Sequence, residues 1–293
     1  MDNAAEIRDF LTTRRAKISP QRAGLPTYGR QRRVLGLRRE EVAFLAGISA
    51  EYYTRIERGN ARGMSDDVLD GVSRALQLDE AERGHLLDLV RTANTERPPR
   101  RTTTPLKVRP SLQRIVDAMA GTPAFVRNGR LDILYANPLL AALYSGHFSD
   151  PVQPPNTARF TFLDPRARTF YGDWDQAAHD VVAQLRGEAG RNPYDRTLSD
   201  LVGLLSTRSD EFRVRWASHD VLVHRSGVKR FHHPLVGDLT LAYERLDLPA
   251  DSGLVIVTYT AEPGSASEDA LRELERWSST RARLAMVDTE AQA

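Results

Sequence analysis

The stretch Arg39–Arg58, REEVAFLAGISAEYYTRIER, decides the fold of the first part of the chain. It places a small residue, Ala43, in one short amphipathic segment and Gly47, which tolerates a positive φ, four positions later. Ser49 is a residue type that caps helix N-termini, so a second helix is expected to begin there. The pattern predicts two short helices joined by a tight glycine turn, the form of a helix-turn-helix.

Apolar residues on both sides of the turn complete the motif. Val42, Ala46, Ile48 and Ile56 are expected to face a shared core, and Tyr53 fills a core position more often held by a β-branched residue. The N-terminus of the second helix would then point outward with free N–H groups and the positive end of its dipole, which suits a phosphate. An αα-corner in an ordinary bundle is the alternative. The helices of this first part are predicted over Asp2–Ile18, Arg38–Ala46, Ser49–Arg58, Ser65–Leu76 and Asp79–Val90.

Charge is divided unevenly along the chain. Residues 1–109 carry 21 Lys and Arg against 15 Asp and Glu, a net charge of +6, whereas the remainder has a net charge of −4. The stretch from Phe10 to Arg39 holds nine basic residues and no acidic one. Such a stretch favours binding of a polyanion through counterion release. A solvated basic surface without a partner is the alternative.

Several function classes are excluded by composition and motifs. The chain of 293 residues has no cysteine, which excludes disulfides, thiolate metal sites and a cysteine nucleophile. No apolar run approaches the roughly 18–20 residues that span a bilayer, and the first residues do not resemble a signal peptide. A cytoplasmic location without membrane insertion is therefore expected. Nucleotide-binding, hydrolase and metal-hydrolase motifs are missing, so we expect neither an enzyme nor a cofactor.

A proline-rich and threonine-rich segment divides the chain. Residues 94–110 contain four prolines and show no apolar periodicity, as is typical of a linker. We expect an all-α domain over residues 1–93, a linker over 94–109, an α+β domain with an antiparallel sheet over 110–263, and a C-terminal helix and tail over 264–293.

The second half alternates between helical and strand-like patterns. A long helix is predicted over Arg166–Arg186, a hairpin turn at Asn128-Gly129, and another turn at Gly227. Strands are predicted over Ala124–Val126, Leu131–Tyr135, Asp220–His224, Val228–His232, Leu239–Leu246 and Leu254–Tyr259.

The segment Arg39–Gly59 resembles the XRE-type, lambda-repressor-like helix-turn-helix, most closely in GLRREEVAFLAGIS and YYTRIERG. The resemblance implies that Glu57 pairs with an arginine, for which Arg15, Arg32 and Arg33 are candidates. It implies major-groove positions at Ser49, Ala50, Glu51, Thr54 and Arg55, and phosphate contacts at Arg38, Arg39, Tyr52 and Arg58. Arg55 would contact a guanine and Glu51 a cytosine.

The runs PAFV, LYANPLLAALY, FLDPRAR, SDEFRVRWASHDV and KRFHHPLVGDLTLAYE resemble the ligand-binding domain of MmyB-like transcription regulators. The resemblance covers roughly residues 107–263. It implies a PAS-like fold, in which a twisted antiparallel sheet carries helices over one face with a pocket between them. It also implies a small apolar, fatty-acid-like ligand.

Aromatic and basic residues are candidates for a ligand pocket, since apolar cavities edged by a few polar groups bind small molecules. Arg159 is the first candidate for a ligand carboxylate and Arg215 the second, because arginine donates two parallel hydrogen bonds. The alternatives are that the aromatic side chains fill the core and the arginines lie at the surface. The aromatic candidates are Phe125, Phe162, Trp174, Phe212 and Trp216.

Four histidines fall within fifteen residues: His219, His224, His232 and His233. Neighbouring residues on a strand point to opposite faces, so both members of a pair cannot join one metal site. We therefore do not expect a metal site. Instead, we expect these histidines to make structural hydrogen bonds in the sheet. A contact of His219 or His233 with a ligand carboxylate is the alternative.

Together these patterns predict a sequence-specific transcription regulator that binds a double-stranded DNA operator. A homodimer would read two half-sites about 34–36 Å apart. The C-terminal helix and the uncovered face of the sheet are candidates for the dimer contact. Alternatively, the second domain only dimerises or docks another protein, without a small-molecule effector.

Overall fold

The computed structural model describes residues 2–26, 34, 36–95, 107–218 and 226–290. The chain forms two compact units. Unit 1 contains Met1–Arg101, Val182–Ser206 and Arg213–Val223, and unit 2 contains the rest. The predicted strand Asp220–His224, His219, Arg32 and Arg33 lie outside the described residues.

Five helices lie within the described part of residues 2–95 in unit 1, and polar residues cap four of them. Asp2, Ser49, Ser65 and Asp79 each accept a backbone N–H of the first turn through the side chain. The caps at Ser49, Ser65 and Asp79 confirm the sequence prediction. The helices are α1 (Asn3–Lys17), α2 (Arg39–Ala46), α3 (Ala50–Glu57), α4 (Asp66–Ala75) and α5 (Glu80–Asn94).

The rest of the chain mixes helices and strands. Two short helices, α8 and α9, fall where the sequence predicted no regular structure. The helices are α6 (Pro110–Asp117), α7 (Pro138–Leu143), α8 (Ser145–Phe148), α9 (Thr157–Leu163), α10 (Ala167–Phe170), α11 (Trp174–Arg191), α12 (Arg196–Arg208), α13 (Asp210–Ala217) and α14 (Ala266–Glu290). The strands are β1 (Ala124–Asn128), β2 (Ile133–Ala136), β3 (Ser226–His233), β4 (Gly237–Asp247) and β5 (Leu254–Thr260).

The five strands in the described part of the chain form one antiparallel sheet in the order β2-β1-β5-β4-β3. One face carries the main apolar core, to which α7, α11 and α14 contribute. On the other face, a smaller apolar cluster lies between α6 and the paired residues Val126 and Ile256. The α+β class with an antiparallel sheet is therefore confirmed.

The prediction of one long helix over Arg166–Arg186 was wrong. It is interrupted between α10 and α11, where Tyr171 bridges Phe231 and the N–H of Gly172 donates to the carbonyl of Arg230 at 2.9 Å. A Cβ at position 172 would lie 2.9 Å from that of Arg230, so glycine permits this close approach. The backbone pairing with β3 therefore interrupts the helix, although the helical spacing of apolar residues continues through this segment.

Two predicted turns also differ from the structure. The β1–β2 hairpin forms as expected, but the left-handed conformation in its loop falls on Leu131, with φ of 68°. Asn128 stabilises this loop by accepting the N–H of Asp132 through its side chain at 3.0 Å. Gly227, predicted in a turn, lies within β3 instead and pairs with Tyr243.

Candidate nucleic-acid interface and ligand cleft

Helix α3 is fixed by its inner face and by the turn before it. Tyr53 and Ile56 are fully buried in unit 1. Gly47 adopts the left-handed conformation with φ of 70°, and the N–H of Ile48 donates to the carbonyl of Ala43 at 3.0 Å. The glycine turn of the predicted helix-turn-helix is thereby confirmed.

The outer surface of α3 is polar and accessible. A surface depression of about 510 Å³ runs along it. Asn60, which sequence reasoning missed because it follows the helix, lines this depression. Of the predicted base-contacting and phosphate-contacting positions on α3 and its ends, Tyr52 and Thr54 are half-buried and the others exposed: Ser49, Ala50, Glu51, Arg55 and Arg58.

Arg55 is held by its neighbour Tyr52. The guanidinium carbon lies 4.6 Å from the centroid of the tyrosine ring, within the range of a cation–π interaction. A stacked guanidinium loses less conformational freedom when it binds, so this contact prepares Arg55 to donate two parallel hydrogen bonds.

Beneath this surface, Glu57 is completely buried and ion-paired. Its carboxylate accepts hydrogen bonds from Arg15 of α1 and from the Nε of Arg39 at 2.9 Å. Burial acts to raise the pKa of Glu57, but the hydrogen bonds and charges of Arg15 and Arg39 outweigh it and lower the pKa. Of the predicted partners, Arg15 is therefore correct, and Arg39 is a partner that the sequence did not indicate.

The phosphate candidates differ in their surroundings. Arg39 is half-exposed but bonds to Glu57, and Arg38 pairs with Glu40 at 3.3 Å. Arg58 is exposed, and the described residues form no ion pair with it. Arg58 therefore has its whole charge available to a phosphate.

Three of the predicted ligand residues come together in unit 2. Phe162 packs edge-on against Trp174 at 5.9 Å and against Phe212 at 5.1 Å. The indole Nε1 of Trp174 donates to the carbonyl of Thr161 at 3.0 Å. Phe125 lies deeper in the apolar core, stacked 6.5 Å from Tyr259.

The remaining ligand candidates do not join this aromatic group. Arg159 is engaged by its own loop, and Arg215 and Trp216 belong to unit 1. Arg159 donates to Asp150 at 2.7 Å and to the carbonyls of Val152 and Pro154 at 2.7 and 2.6 Å. It thus closes the loop before α9.

Trp216 and Arg215 belong to unit 1. There the guanidinium of Arg186, which pairs with Glu6 at 2.7 Å, lies 4.1 Å from the Trp216 ring centroid.

Structural hydrogen bonds are confirmed for both described histidines of the cluster. His232 Nδ1 lies 2.5 Å from the carboxylate of Asp238, its partner across β3 and β4. His233 Nε2 donates to the carbonyl of Ala142 at 3.2 Å, and its Nδ1 accepts the N–H of Leu235. This pairing needs the neutral ring, and burial lowers the pKa of His233 accordingly. Among the described residues, no group of three or more metal-ligating side chains could hold a metal ion.

Sequence reasoning missed His147, which has no nearby motif. It is buried between the rings of Tyr144 and Phe160, whose centroids lie 4.1 and 3.8 Å from its own. Burial lowers its pKa to about 3, so the ring is neutral. Its Nε2 lies 3.2 Å from the hydroxyl of Tyr171.

A cleft of about 380 Å³ lies between α11 and β3 in unit 2. One face of α11 forms one wall, and β3 with Tyr243 of β4 forms the other. None of the sequence-predicted ligand residues that the structure describes lines it. The lining residues are Tyr171, Asp173, Gln176, Ala177, Asp180, Ser226, Gly227, Val228, Lys229, Arg230 and Tyr243.

Comparison with known families identifies both parts of the chain. Residues 12–86 match a helix-turn-helix domain, and residues 108–274 match the MmyB-like transcription regulator ligand binding domain. The chain is thus a DNA-binding transcription regulator with a ligand-binding domain.

Because the second match covers more than half of its length, the chain belongs to the MmyB-like family. Both matched families are regulatory, and neither is an enzyme family. No curated protein matches the chain. Within the described part of the chain, no helix combines the length and apolarity needed to cross a bilayer.

Proposed function

We propose that the protein regulates transcription by placing the outer surface of α3 in the major groove of an operator. The exposed surface around Arg55, with its guanidinium stacked on Tyr52, is the observation that carries this proposal. Arg55 donates to a guanine and Glu51 accepts from a cytosine, while Arg58 contacts a phosphate. The proposed compartment is the cytoplasm, where the DNA of a bacterial-type regulator lies.

The regulator acts as a homodimer that reads two half-sites one helical turn apart. Val228 and Leu246 support this part of the proposal, because both are exposed apolar residues on the same face of β3 and β4. The exposed Trp277 on α14 marks the second candidate contact. Joining two copies doubles the operator length that is read.

Unit 2 is a PAS-like sensor for a small, fatty-acid-like effector. Its antiparallel sheet with helices over the larger core supports the PAS-like assignment, and the cleft between α11 and β3 supports a ligand. The existence of this cleft favours a sensor over a domain that only dimerises. By linkage, effector and DNA change each other's affinity by one common factor.

Selection of full-length protein on random duplexes tests this function. The expected product is a pseudo-palindrome with half-sites one turn apart, bound by two protein copies in sedimentation experiments. Failure to enrich any sequence would refute sequence-specific binding. Enrichment of one half-site bound by a single copy would refute the dimer.

A further inference from the structure

The chain that leaves α3 turns back so that Asn60 lies beside Arg55. Gly59 has a positive φ of 96°, and its N–H donates to the carbonyl of Ile56 at 2.8 Å. The N–H of Asn60 donates to the carbonyl of Arg55 at 3.2 Å. These two hydrogen bonds define a Schellman motif at the end of the helix. The motif fixes the backbone of Asn60 directly to that of Arg55.

The residues on either side of Asn60 anchor it to the core of unit 1. Gly59 and Ala61 are both buried. Gly59 also packs so closely on α1 that a Cβ there would lie 2.3 Å from the backbone oxygen of Ala4. Asn60 itself is exposed and lines the same depression as Arg55. Its side chain is therefore presented to solvent from a fixed backbone, which reduces the conformational freedom lost on binding.

The residue types in this motif are unusual. The positions that Arg55 and Asn60 occupy in a Schellman motif frequently hold apolar residues in contact with each other. Here both residues are polar and exposed, so the pair buries no apolar surface at the helix end. Their residue types therefore serve something other than the stability of the helix end.

Asn60 also differs from the other asparagines in what its side chain does. The sequence has seven asparagines, and all of them are described in the structure. The other six hydrogen-bond to the protein through the side-chain amide: Asn3, Asn94, Asn128, Asn137, Asn156 and Asn192. Among the described residues, none hydrogen-bonds to the side chain of Asn60. Its amide keeps both a donor and an acceptor for a ligand.

A carboxamide with its donor and acceptor both available matches one base edge in the major groove. Adenine presents an acceptor at N7 beside a donor at N6, and asparagine can meet both. The charged side chains of the depression cannot do so, because an arginine only donates and an ionised glutamate only accepts. Those charged residues are Glu51, Arg55 and Arg58.

We propose that Asn60 is a specificity-determining residue that reads an adenine of the operator. Its amide N–H donates to N7 of the adenine, and its amide oxygen accepts from N6. Because Asn60 lies beside Arg55, this adenine belongs to a base pair neighbouring the guanine that Arg55 contacts. The inference rests on the proposed DNA-binding function and adds to it a base position that the residues of α3 do not read.

Replacing each adenine of the selected operator in turn by 7-deazaadenine tests the proposal, because this base lacks the N7 acceptor but still pairs with thymine. Affinities are measured by fluorescence anisotropy at one fixed salt concentration. At one adenine the wild type should lose about fivefold in affinity, the ratio expected for one hydrogen bond. Asn60→Ala should be insensitive to the replacement of that adenine. An equal loss for the wild type and Asn60→Ala at every adenine would overturn the proposal.

The unmodified duplexes give a second readout. Asn60→Ala should bind the selected operator about tenfold more weakly and a random duplex as tightly as the wild type, since a neutral amide releases no counterions. Asn192→Ala removes an asparagine of unit 1 outside the depression and should preserve both affinities. Since Asn60 is exposed, thermal unfolding of Asn60→Ala should match that of the wild type. An equal loss on both duplexes would place Asn60 on a phosphate and overturn base reading.

The remaining outcomes separate the inference from the function beneath it. If Asn60→Ala keeps the discrimination of the wild type while Arg55→Ala loses it, the role of Asn60 is overturned and the proposed function stands. If selection on random duplexes enriches no sequence, sequence-specific binding is refuted, and the role of Asn60 with it.

Discussion

The buried carboxylate of Glu57 receives two parallel hydrogen bonds from Arg15, at 2.8 Å from Nε and 3.0 Å from Nη2. Glu57 ends α3, and Arg15 lies near the end of α1. The Nη1 of Arg15 also donates to the carbonyl of Leu37 at 2.8 Å. A single planar guanidinium therefore fixes the DNA-facing helix against α1 and against the segment that leads into α2.

Replacing Glu57 by Gln should destabilise unit 1. The amide cannot accept both hydrogen bonds from Arg15 as a carboxylate does, and it leaves two guanidinium groups without their counter-charge. Breaking such a buried pair costs about 3 kcal/mol. Denaturant unfolding of the full chain at neutral pH measures the loss. Glu51→Gln, on the exposed side of the same helix, is the matched control and should change the free energy of unfolding little.

The effect of Glu57→Gln should depend on pH. Because folding lowers the pKa of Glu57 below its ordinary value of 4.5, the ionised carboxylate stabilises the fold above that pH. The stabilisation is lost as the pH falls through the lower, folded pKa. The gap in free energy of unfolding between wild type and variant should therefore close below pH 4.5. A gap that stays constant down to the acid unfolding limit would contradict an ionised pair.

Gly47 and Gly59, which flank α3, provide a second test of how α3 packs in unit 1. Both have positive φ, at 96° and 70°. A Cβ at Gly59 would lie 2.3 Å from the backbone oxygen of Ala4 in α1, whereas a Cβ at Gly47 meets nothing within 4 Å. Gly47→Ala should cost about 1–2 kcal/mol, the strain of a left-handed residue. Gly59→Ala should cost about 3 kcal/mol or more, since the helices must also separate. Thermal unfolding of both variants should rank them in this order, and equal costs would argue against close packing of α1 on α3.

Asn137 joins three elements of unit 2. Its side-chain oxygen accepts the N–H groups of Leu140 at 2.9 Å and Ala124 at 3.2 Å. Its side-chain amide donates to the carbonyls of Thr122 at 2.8 Å and Met119 at 3.3 Å. Asn137→Asp keeps the shape but turns the donor into an acceptor that faces carbonyl oxygens, so it should cost about 3 kcal/mol.

Chemical unfolding of Asn137→Asp at pH 7 measures this cost. Asn60→Asp makes the same substitution at an exposed position and serves as the control. A loss no larger than that of the control would mean that the amide of Asn137 is not needed to hold β1, α7 and the end of α6 together.

Arg58 should bind a phosphate without regard to sequence. Arg58→Ala is expected to lower affinity for selected and random duplexes by the same factor and to reduce the slope of log affinity against log salt by about one. Arg39→Ala should also weaken binding to all duplexes alike, but with a loss of stability, because Arg39 bonds to Glu57. A loss of affinity confined to the selected duplex would show that Arg58 contacts a base rather than a phosphate.

Local signals made the helix-turn-helix predictable. A glycine at the turn and a serine cap are short-range features, and the structure keeps both. The partners of Glu57 were only partly predictable, because Arg15 lies 42 residues away and sequence spacing does not reveal which arginine approaches. The break before α11 was missed because the apolar stripe continues through it, although Gly172 was a local signal.

The ligand cleft could not be assembled from the sequence. Lys229 comes from β3 and Asp180 from α11, and only tertiary packing brings them together. Arg159 was predicted to bind a ligand carboxylate, but its hydrogen bonds go to the loop from Asp150 to Pro154. Pairings of this kind depend on loop conformation, which residue patterns do not specify.

The central claim is that α3 reads base edges through Arg55. The direct test is a titration of wild type, Arg55→Ala and Arg91→Ala on the selected operator and on a random duplex at one fixed salt concentration. Arg91 is an exposed arginine of α5 and controls for the lost charge. Arg55→Ala should lose about 1–3 kcal/mol of discrimination and tolerate other bases at one position, while Arg91→Ala keeps the ratio of the wild type. Equal losses on both duplexes for Arg55→Ala would contradict the claim.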